Sequence, residues 1–231
     1  QVMIIYYFGV PARFMYKRWR QRKMASHKQI NVNYFNPKTA AERYARGRPD
    51  FHSNTIRHIK AYLQIDNKLD KALDIACGTG LSTKPLLEIA VNVYGTDPSK
   101  EMLNFAFQSD TINYLIASAE EQPFADNYFD LITVSSGVHW FDIDKFLIEA
   151  NRLLKSKSWL VLYENYFISE MVGHEDFTDW FPNVYLKKYP SPPRCNAYSW
   201  TNENLISKNF TFVTEERFKN TIVFNKEQLA L

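Results

Sequence analysis

The chain has 231 residues, 45% of them hydrophobic and 23% charged, which suits one soluble globular domain and is short for two. Its net charge of +3 arises in the first 23 residues, where Arg13, Lys17, Arg18, Arg20, Arg22 and Lys23 meet no acid. The other 22 basic and 25 acidic residues leave the rest at about −3, without the clustered basic footprint of a nucleic-acid binder. Two cysteines, Cys77 and Cys195, exclude a disulfide framework and have no metal-ligand spacing, so a reducing, cytoplasmic setting is expected.

Val2 to Val10 is an apolar run too short to span a bilayer, and the basic stretch after it has the wrong order for a signal peptide. Residues 1–23 are therefore expected to be a leader or non-native extension outside the fold, with a membrane-surface anchor as the other reading. Residues 24–231 form the expected single domain, with no membrane partner. Helical spacing covers 39–47 and 53–64, where Ile56, Ile59, Tyr62 and Leu63 share a face and Pro49 separates the two segments.

From Lys71 the pattern alternates. Ala72–Ala76 reads as a strand, Leu81–Ala90 as a helix and Val91–Gly95 as a second strand. Ser99–Gln108 reads as a helix with Ser99 as N-cap, followed by strands over Ile112–Ala117 and Phe129–Ser135. Asp144–Leu154 is a helix with Phe146, Leu147, Ala150, Leu153 and Leu154 inward, and Trp159–Tyr163 a fifth strand. Such alternation predicts a doubly wound, mostly parallel α/β sheet. The aromatic, proline-rich stretch 165–205 reads as an insertion over the substrate side. Phe210–Phe224 gives one or two more strands, and Lys226–Leu231 starts a helix.

The chemistry concentrates in the first strand-to-helix turn, Asp74-Ile75-Ala76-Cys77-Gly78-Thr79-Gly80. Only seven glycines occur in the chain, and three of them, Gly78, Gly80 and Gly95, fall within eighteen residues. Glycines at such a turn let backbone approach a ligand at the carboxyl edge of the sheet. Asp97, seventeen residues after Gly80, ends the second strand as a carboxylate placed for two ribose hydroxyls. The pair points to an adenosine-containing cofactor. An NAD site is disfavoured because Thr83 stands where dinucleotide folds carry a third glycine.

The segments LDIACGTG (73–80), VYGTDPSKEML (93–103) and ASAEEQPFADNYFDLITVSSGVHWF (117–141), with Ala41, Tyr44, Arg48 and Pro49 upstream, resemble the class I S-adenosylmethionine-dependent methyltransferases of the type 11 family, close to the trans-aconitate methyltransferase-like group. The resemblance covers about residues 34–164. It implies a Rossmann-like fold, S-adenosylmethionine as cofactor and S-adenosylhomocysteine as product. It also implies roles for particular residues. Asp74 and Ala76, Cys77, Gly78, Thr79 and Gly80 would hold the methionine end. Asp97 would take the ribose, with Pro98 and Met102 against the adenine and Ala119 and Glu120 closing its pocket. Ser135 would line the floor beside the sulfonium, Tyr44 and Arg48 would come over the amino-acid end, and His139 and Trp140 would face the methyl group and the acceptor.

Ala76 replaces the first glycine of the family turn, and the chain ends at Leu231 where the family continues into a last strand, so that strand is expected to be lacking or supplied differently. The expected reaction is direct displacement onto a small-molecule acceptor, a carboxylic acid among the candidates. Ser135-Ser136-Gly137-Val138 stands where nucleic-acid and glutamine methyltransferases of this fold carry Asn-Pro-Pro-Tyr or Asp-Pro-Pro-Tyr, so no nucleic-acid partner is expected. The alternatives are a non-catalytic or truncated protein of the same fold and an NAD-dependent oxidoreductase. His174-Glu175-Asp176 is not expected to bind a metal, because consecutive residues rarely converge on one ion.

Overall fold

A computed structural model describes residues 1–7, 38–48, 50–165, 169–190 and 198–218. Seven strands share one sheet: β1 (Val2–Tyr7), β2 (Leu69–Ile75), β3 (Ala90–Asp97), β4 (Ile112–Ile116), β5 (Phe129–Ser135), β6 (Leu154–Asn165) and β7 (Phe212–Phe218). Their order is β4-β3-β2-β5-β6-β1-β7, and every neighbouring pair runs parallel. A parallel sheet is covered on both faces, which explains the nearly continuous apolar runs of β2 and β5.

Successive residues of a strand point to opposite faces, so each strand feeds two cores. Leu73, Ile75, Ile132, Val134, Leu160 and Leu162 pack with Phe146, Leu147, Ala150 and Leu153 of the helix Ile143–Leu153. Ala72, Leu131, Val161 and Tyr163 pack on the other face with Ile56 and Ile59 of the helix His52–Tyr62. Asp142 caps the first of these helices by accepting from the Lys145 N–H. Each helix thus buries its apolar stripe against the sheet.

Several elements differ from expectation. Leu81–Ala90 is not an α-helix but a tight turn followed by a 3₁₀ helix, Lys84–Glu88. Pro85 has no N–H, and the Ser82 and Thr83 side chains are committed elsewhere. The helix after Ser99 is a single turn, Lys100–Leu103, whose cap forms as expected. Leu154 begins β6 instead of ending the helix before it.

The largest correction concerns the N-terminus. Residues 2–7 do not stand outside the fold: β1 lies between β6 and β7, in register from Val2 opposite Leu160 to Tyr7 opposite Asn165. Val2 and Met3 are fully buried. The apolar composition of this segment is that of a strand flanked on both edges. Among the described residues the sheet has seven strands, one of them drawn from the N-terminal segment. The basic stretch 13–23 and the helix expected at 226–231 lie outside the described residues, as does the strand pattern beyond Phe218.

Of the stretch 165–205, residues 177–188 form a continuous helical rod (Phe177–Trp180, Phe181–Tyr185, Leu186–Lys188). The rings of Phe177, Trp180, Phe181, Tyr185 and Tyr189 follow one another along it at centroid distances of 5.2–5.9 Å. Its end belongs to the core instead of a cover: Leu205 is fully buried, and Tyr198 and Trp200 pack against the face that holds Phe146.

Candidate functional site at the carboxyl edge of the sheet

The chain runs outward from β2 through β3 to β4 on one side and from β5 to β6 on the other, so β2 and β5 meet at the topological switch point. Crevices at such points are where ligands bind in open α/β sheets. Two non-glycine residues with left-handed backbone stand there, Ala76 (φ +57°) after β2 and Ser136 (φ +53°) after β5. Each costs of order 1–2 kcal/mol, and such strain clusters where the chain end must be aimed.

Asp74 is fully buried at the end of β2, opposite Thr133 of β5. Its Oδ2 accepts from the hydroxyls of Ser82 and Thr83, both at 2.7 Å, and its Oδ1 from Thr133 at 3.2 Å. Burial pushes its carboxyl up to about 6, against the three hydroxyl donors that favour the charged form and with some help from the Asp97 charge. These bonds bind the turn 76–83 to the sheet from beneath. Asp74 therefore shapes the turn first and reaches a ligand only through it. Thr83, in the place of a third glycine, is part of this lock.

Gly78 (φ +55°) and Gly80 (φ +74°) carry the turn through conformations that suit glycine. A Cβ at Gly80 would also collide with the Tyr114 hydroxyl of β4. Asp97, at the end of β3, closes the other side: its Oδ2 accepts from the Gly78 N–H at 3.0 Å and its Oδ1 from the Ser99 N–H at 2.8 Å. Burial raises its pKa, and the two backbone donors oppose that. Each carboxylate oxygen keeps a further lone pair for a hydroxyl donor. Thr79 Oγ1 in the turn and Thr96 Oγ1 in β3 are buried without a hydrogen-bond partner. An unsatisfied hydroxyl in the turn is what a site made for a polar ligand leaves when the ligand is away.

The other expected residues fall on a recognisable perimeter. Met102 is buried beside Gly78, its Cε 3.0 Å from where a Gly78 Cβ would stand, while Pro98 is exposed. Ala119 is buried. Glu120 accepts from the Asp142 N–H at 2.8 Å, at the start of the helix Ile143–Leu153. Arg48 stacks its guanidinium 4.7 Å over the Tyr44 ring, and the helix Lys38–Gly47 lies against Lys100–Leu103, on the Met102 side of the site. Cys77 is buried with its thiol pushed well up by burial, which makes it inert packing and no nucleophile.

Beyond β5, the Ser136 N–H donates to the Tyr163 carbonyl of β6 at 2.9 Å. Gly137 then packs so closely on Ala76 that a Cβ there would lie 2.8 Å from the Ala76 Cβ. The 3₁₀ turn Val138–Trp140 is thereby pinned against the 76–80 turn, with the His139 ring 5.0 Å from that of the partly exposed Trp140. His139 Nδ1 lies 3.5 Å from Glu164 Oε1 of β6.

Three participants had no sequence signal as site residues. His52, buried at the start of its helix, places Nδ1 3.2 Å from the Tyr163 hydroxyl and 3.5 Å from Ser135 Oγ. Burial lowers its pKa to about 4, Asp50 opposing and Arg48 assisting, so the ring is neutral near pH 7. Tyr163 and Glu164 lie in a strand whose apolar pattern hid them. A spacing argument could have found them only through the register that sets Ser135 opposite Tyr163. Among the described residues, no group of three or more His, Cys, Asp or Glu could hold a metal ion, and no helix is long and apolar enough to cross a membrane.

Comparison with known proteins meets this geometry. Residues 73–162 match the family described as Methyltransferase domain. Over 129 residues the chain is 32% identical to an uncharacterized methyltransferase of Mycobacterium tuberculosis, covering 55% of this chain and 51% of that protein. It is 34% identical over 116 residues to the ubiquinone/menaquinone biosynthesis C-methyltransferase UbiE of Rickettsia prowazekii, covering 44% of this chain and 47% of the relative. The chain thus spans about half the length of these curated relatives. A solved structure from Anaeromyxobacter dehalogenans superimposes with TM-score 0.53 at 23% identity, covering 63% of this chain and 60% of that one. The YcgJ protein from Bacillus subtilis does so with TM-score 0.50 at 22% identity, covering 68% and 67%. Both share the fold.

Proposed function

We propose that this chain, whose residues 73–162 match the family described as Methyltransferase domain, is a class I S-adenosylmethionine-dependent enzyme that transfers a methyl group to a small-molecule acceptor. The observation that carries the reading is the closure of the glycine turn by Asp97. That closure gathers a carboxylate with spare lone pairs, an unpartnered Thr79 hydroxyl and the Met102 side chain around one turn at the switch point. In this reading Asp97 takes the ribose hydroxyls, Met102 and Ala119 flank the adenine, and the 76–80 backbone takes the amino-acid end. Ser135 is the floor, held by neutral His52.

The bound cofactor supplies a methyl group on a sulfonium, an excellent leaving group. The chain's task is alignment and exclusion of water, which can supply several kcal/mol of the barrier reduction. The buried carboxylates of Asp74 and Asp97 set a negative potential under a cationic ligand, and the neutrality of His52 preserves it. Relatives whose printed names concern ubiquinone and menaquinone biosynthesis support a small-molecule acceptor. A cytoplasmic setting and the exclusion of nucleic acid belong to the same proposal. The NAD reading is weaker, because a glycine at Thr83 would remove one of the three hydroxyls on Asp74.

Calorimetric titration of the full chain with S-adenosylhomocysteine, with NAD as control, tests it. Micromolar binding, about −8 kcal/mol, is expected, with strong loss in Asp97→Asn, whose fold is checked by circular dichroism. Binding of NAD alone, or no binding by a folded sample, refutes the reading.

A further inference from the structure

We propose that His139, positioned by Glu164, is the general base of the reaction, and that the acceptor is a neutral aromatic or enolic hydroxyl compound instead of a carboxylate. The inference rests on the methyl-transfer reading above and names the acceptor class for the same site.

Three contacts bring the pair together and aim it at the cofactor turn. The Ser136 N–H, on left-handed backbone, fastens the end of β5 to the Tyr163 carbonyl. Gly137 seats the following turn directly on Ala76, next to the 76–80 backbone. The next residue but one is His139, and the residue after Tyr163 is Glu164, which sets Nδ1 and Oε1 3.5 Å apart. Their side chains are 19% and 13% exposed, sheltered enough that the charge is not fully screened. Nδ1 is buried and makes no hydrogen bond within the chain. In the tautomer that carries its proton on Nδ1, on the Glu164 side, the lone pair stands on Nε2.

The Glu164 charge also decides between acceptors. A carboxylate acceptor is nucleophilic without a base, and it would have to approach a fixed negative charge beside the imidazole. A hydroxyl gains from both groups. General-base transfer works best when donor and base have comparable acidity, which favours phenolic and enolic hydroxyls over alkyl alcohols. In the step, the hydroxyl proton passes to Nε2 as the oxygen lone pair forms the O–CH3 bond. The C–S bonding pair stays on sulfur as a neutral thioether, and the imidazolium releases its proton to water. Charge and atoms balance without an oxidant or a metal.

The experiment uses the full chain, S-adenosylmethionine labelled on its methyl group, and a series from catechol to the more acidic 4-nitrocatechol, with benzoate and cinnamate as carboxylate probes. Binding of S-adenosylhomocysteine is measured beside each variant. The wild type is expected to methylate the catechols and not the carboxylates. His139→Gln should bind S-adenosylhomocysteine normally and lose roughly 10²–10⁴-fold in kcat on catechol. The loss should be much smaller on 4-nitrocatechol, which is already ionised in solution. Glu164→Gln should lower kcat with KM unchanged, and Glu164→Asp should recover part of it. An equal loss across the acidity series, a preference for carboxylates, or no transfer to any hydroxyl by a chain that binds S-adenosylhomocysteine overturns the assignment. Failure of the wild type to bind S-adenosylhomocysteine strikes the methyl-transfer reading itself.

Discussion

Replacing Asp74 by asparagine separates stability from cofactor binding. The buried carboxyl has its pKa raised from 3.8 to about 6. The folded state therefore holds this proton more tightly than the unfolded chain does. Stability from this group is fully present below pH 3.8 and is lost as pH rises through 6, with the whole loss reached above that. A shift of about two units corresponds to roughly 3 kcal/mol at pH 7.5. Asparagine is nearly isosteric: its carbonyl can accept from Ser82 and Thr83 while its amide faces Thr133 Oγ1, which can turn its own proton to the Leu73 carbonyl. Urea denaturation from pH 4 to 8 should show wild type and variant alike at pH 4 and the variant more stable by up to about 3 kcal/mol at pH 7.5. Only the difference between the two proteins matters, since other groups titrate in both. Binding of S-adenosylhomocysteine, whose ammonium is cationic, should weaken at least tenfold in the variant. A variant less stable than wild type at pH 7.5, or a difference that does not change with pH, would refute the claim that an ionised Asp74 is held against its preference.

Met3→Ala should destabilise the chain by about 2–5 kcal/mol, read as a fall in urea midpoint; a neutral result would mean that β1 is not part of the folded sheet in solution. Gly80→Ala forces a side chain into φ +74° and against Tyr114, and should cost about 2 kcal/mol or more together with cofactor binding. Histidine 52 has the opposite pH signature to Asp74. Its pKa falls from 6.5 to about 4, so its stability is present above pH 6.5 and is lost as pH drops through 4. His52→Gln should therefore flatten acid destabilisation in that window, measured as the variant's urea midpoint at pH 5 relative to pH 7.5.

The alternation of strands and helices between Leu69 and Tyr163 was legible because a parallel sheet writes itself as apolar runs separated by amphipathic ones. Phe129–Ser135 coincides with β5 to the residue. What failed did so for identifiable reasons. Leu81–Ala90 has helical spacing, but Pro85 and the side-chain bonds of Ser82 and Thr83 to Asp74 replace backbone helix bonds. The strand at 2–7 was masked by the basic stretch after it, because charge bias describes a neighbourhood and not the pairing of a segment with β6, more than 150 residues away.

The site divides along the same line. Its cofactor half lies in turns, where residue type is dictated by backbone conformation: Gly78 and Gly80 need positive φ, and Asp97 must cap the Gly78 N–H. Such demands leave a local signature. The proposed acceptor half is built from register: Ser135 faces Tyr163 across a strand pair, and His139 meets Glu164 where Ser136 turns back onto β6. No local pattern encodes a contact between a turn residue and a strand residue 25 positions further along the chain. Two chains sharing the turn can therefore hold the same cofactor while differing at the ends of β5 and β6. On the proposed reading the residues that select an acceptor lie in that register, at Ser135, His139, Tyr163 and Glu164, and a substitution there is expected to change the acceptor without touching the glycine turn.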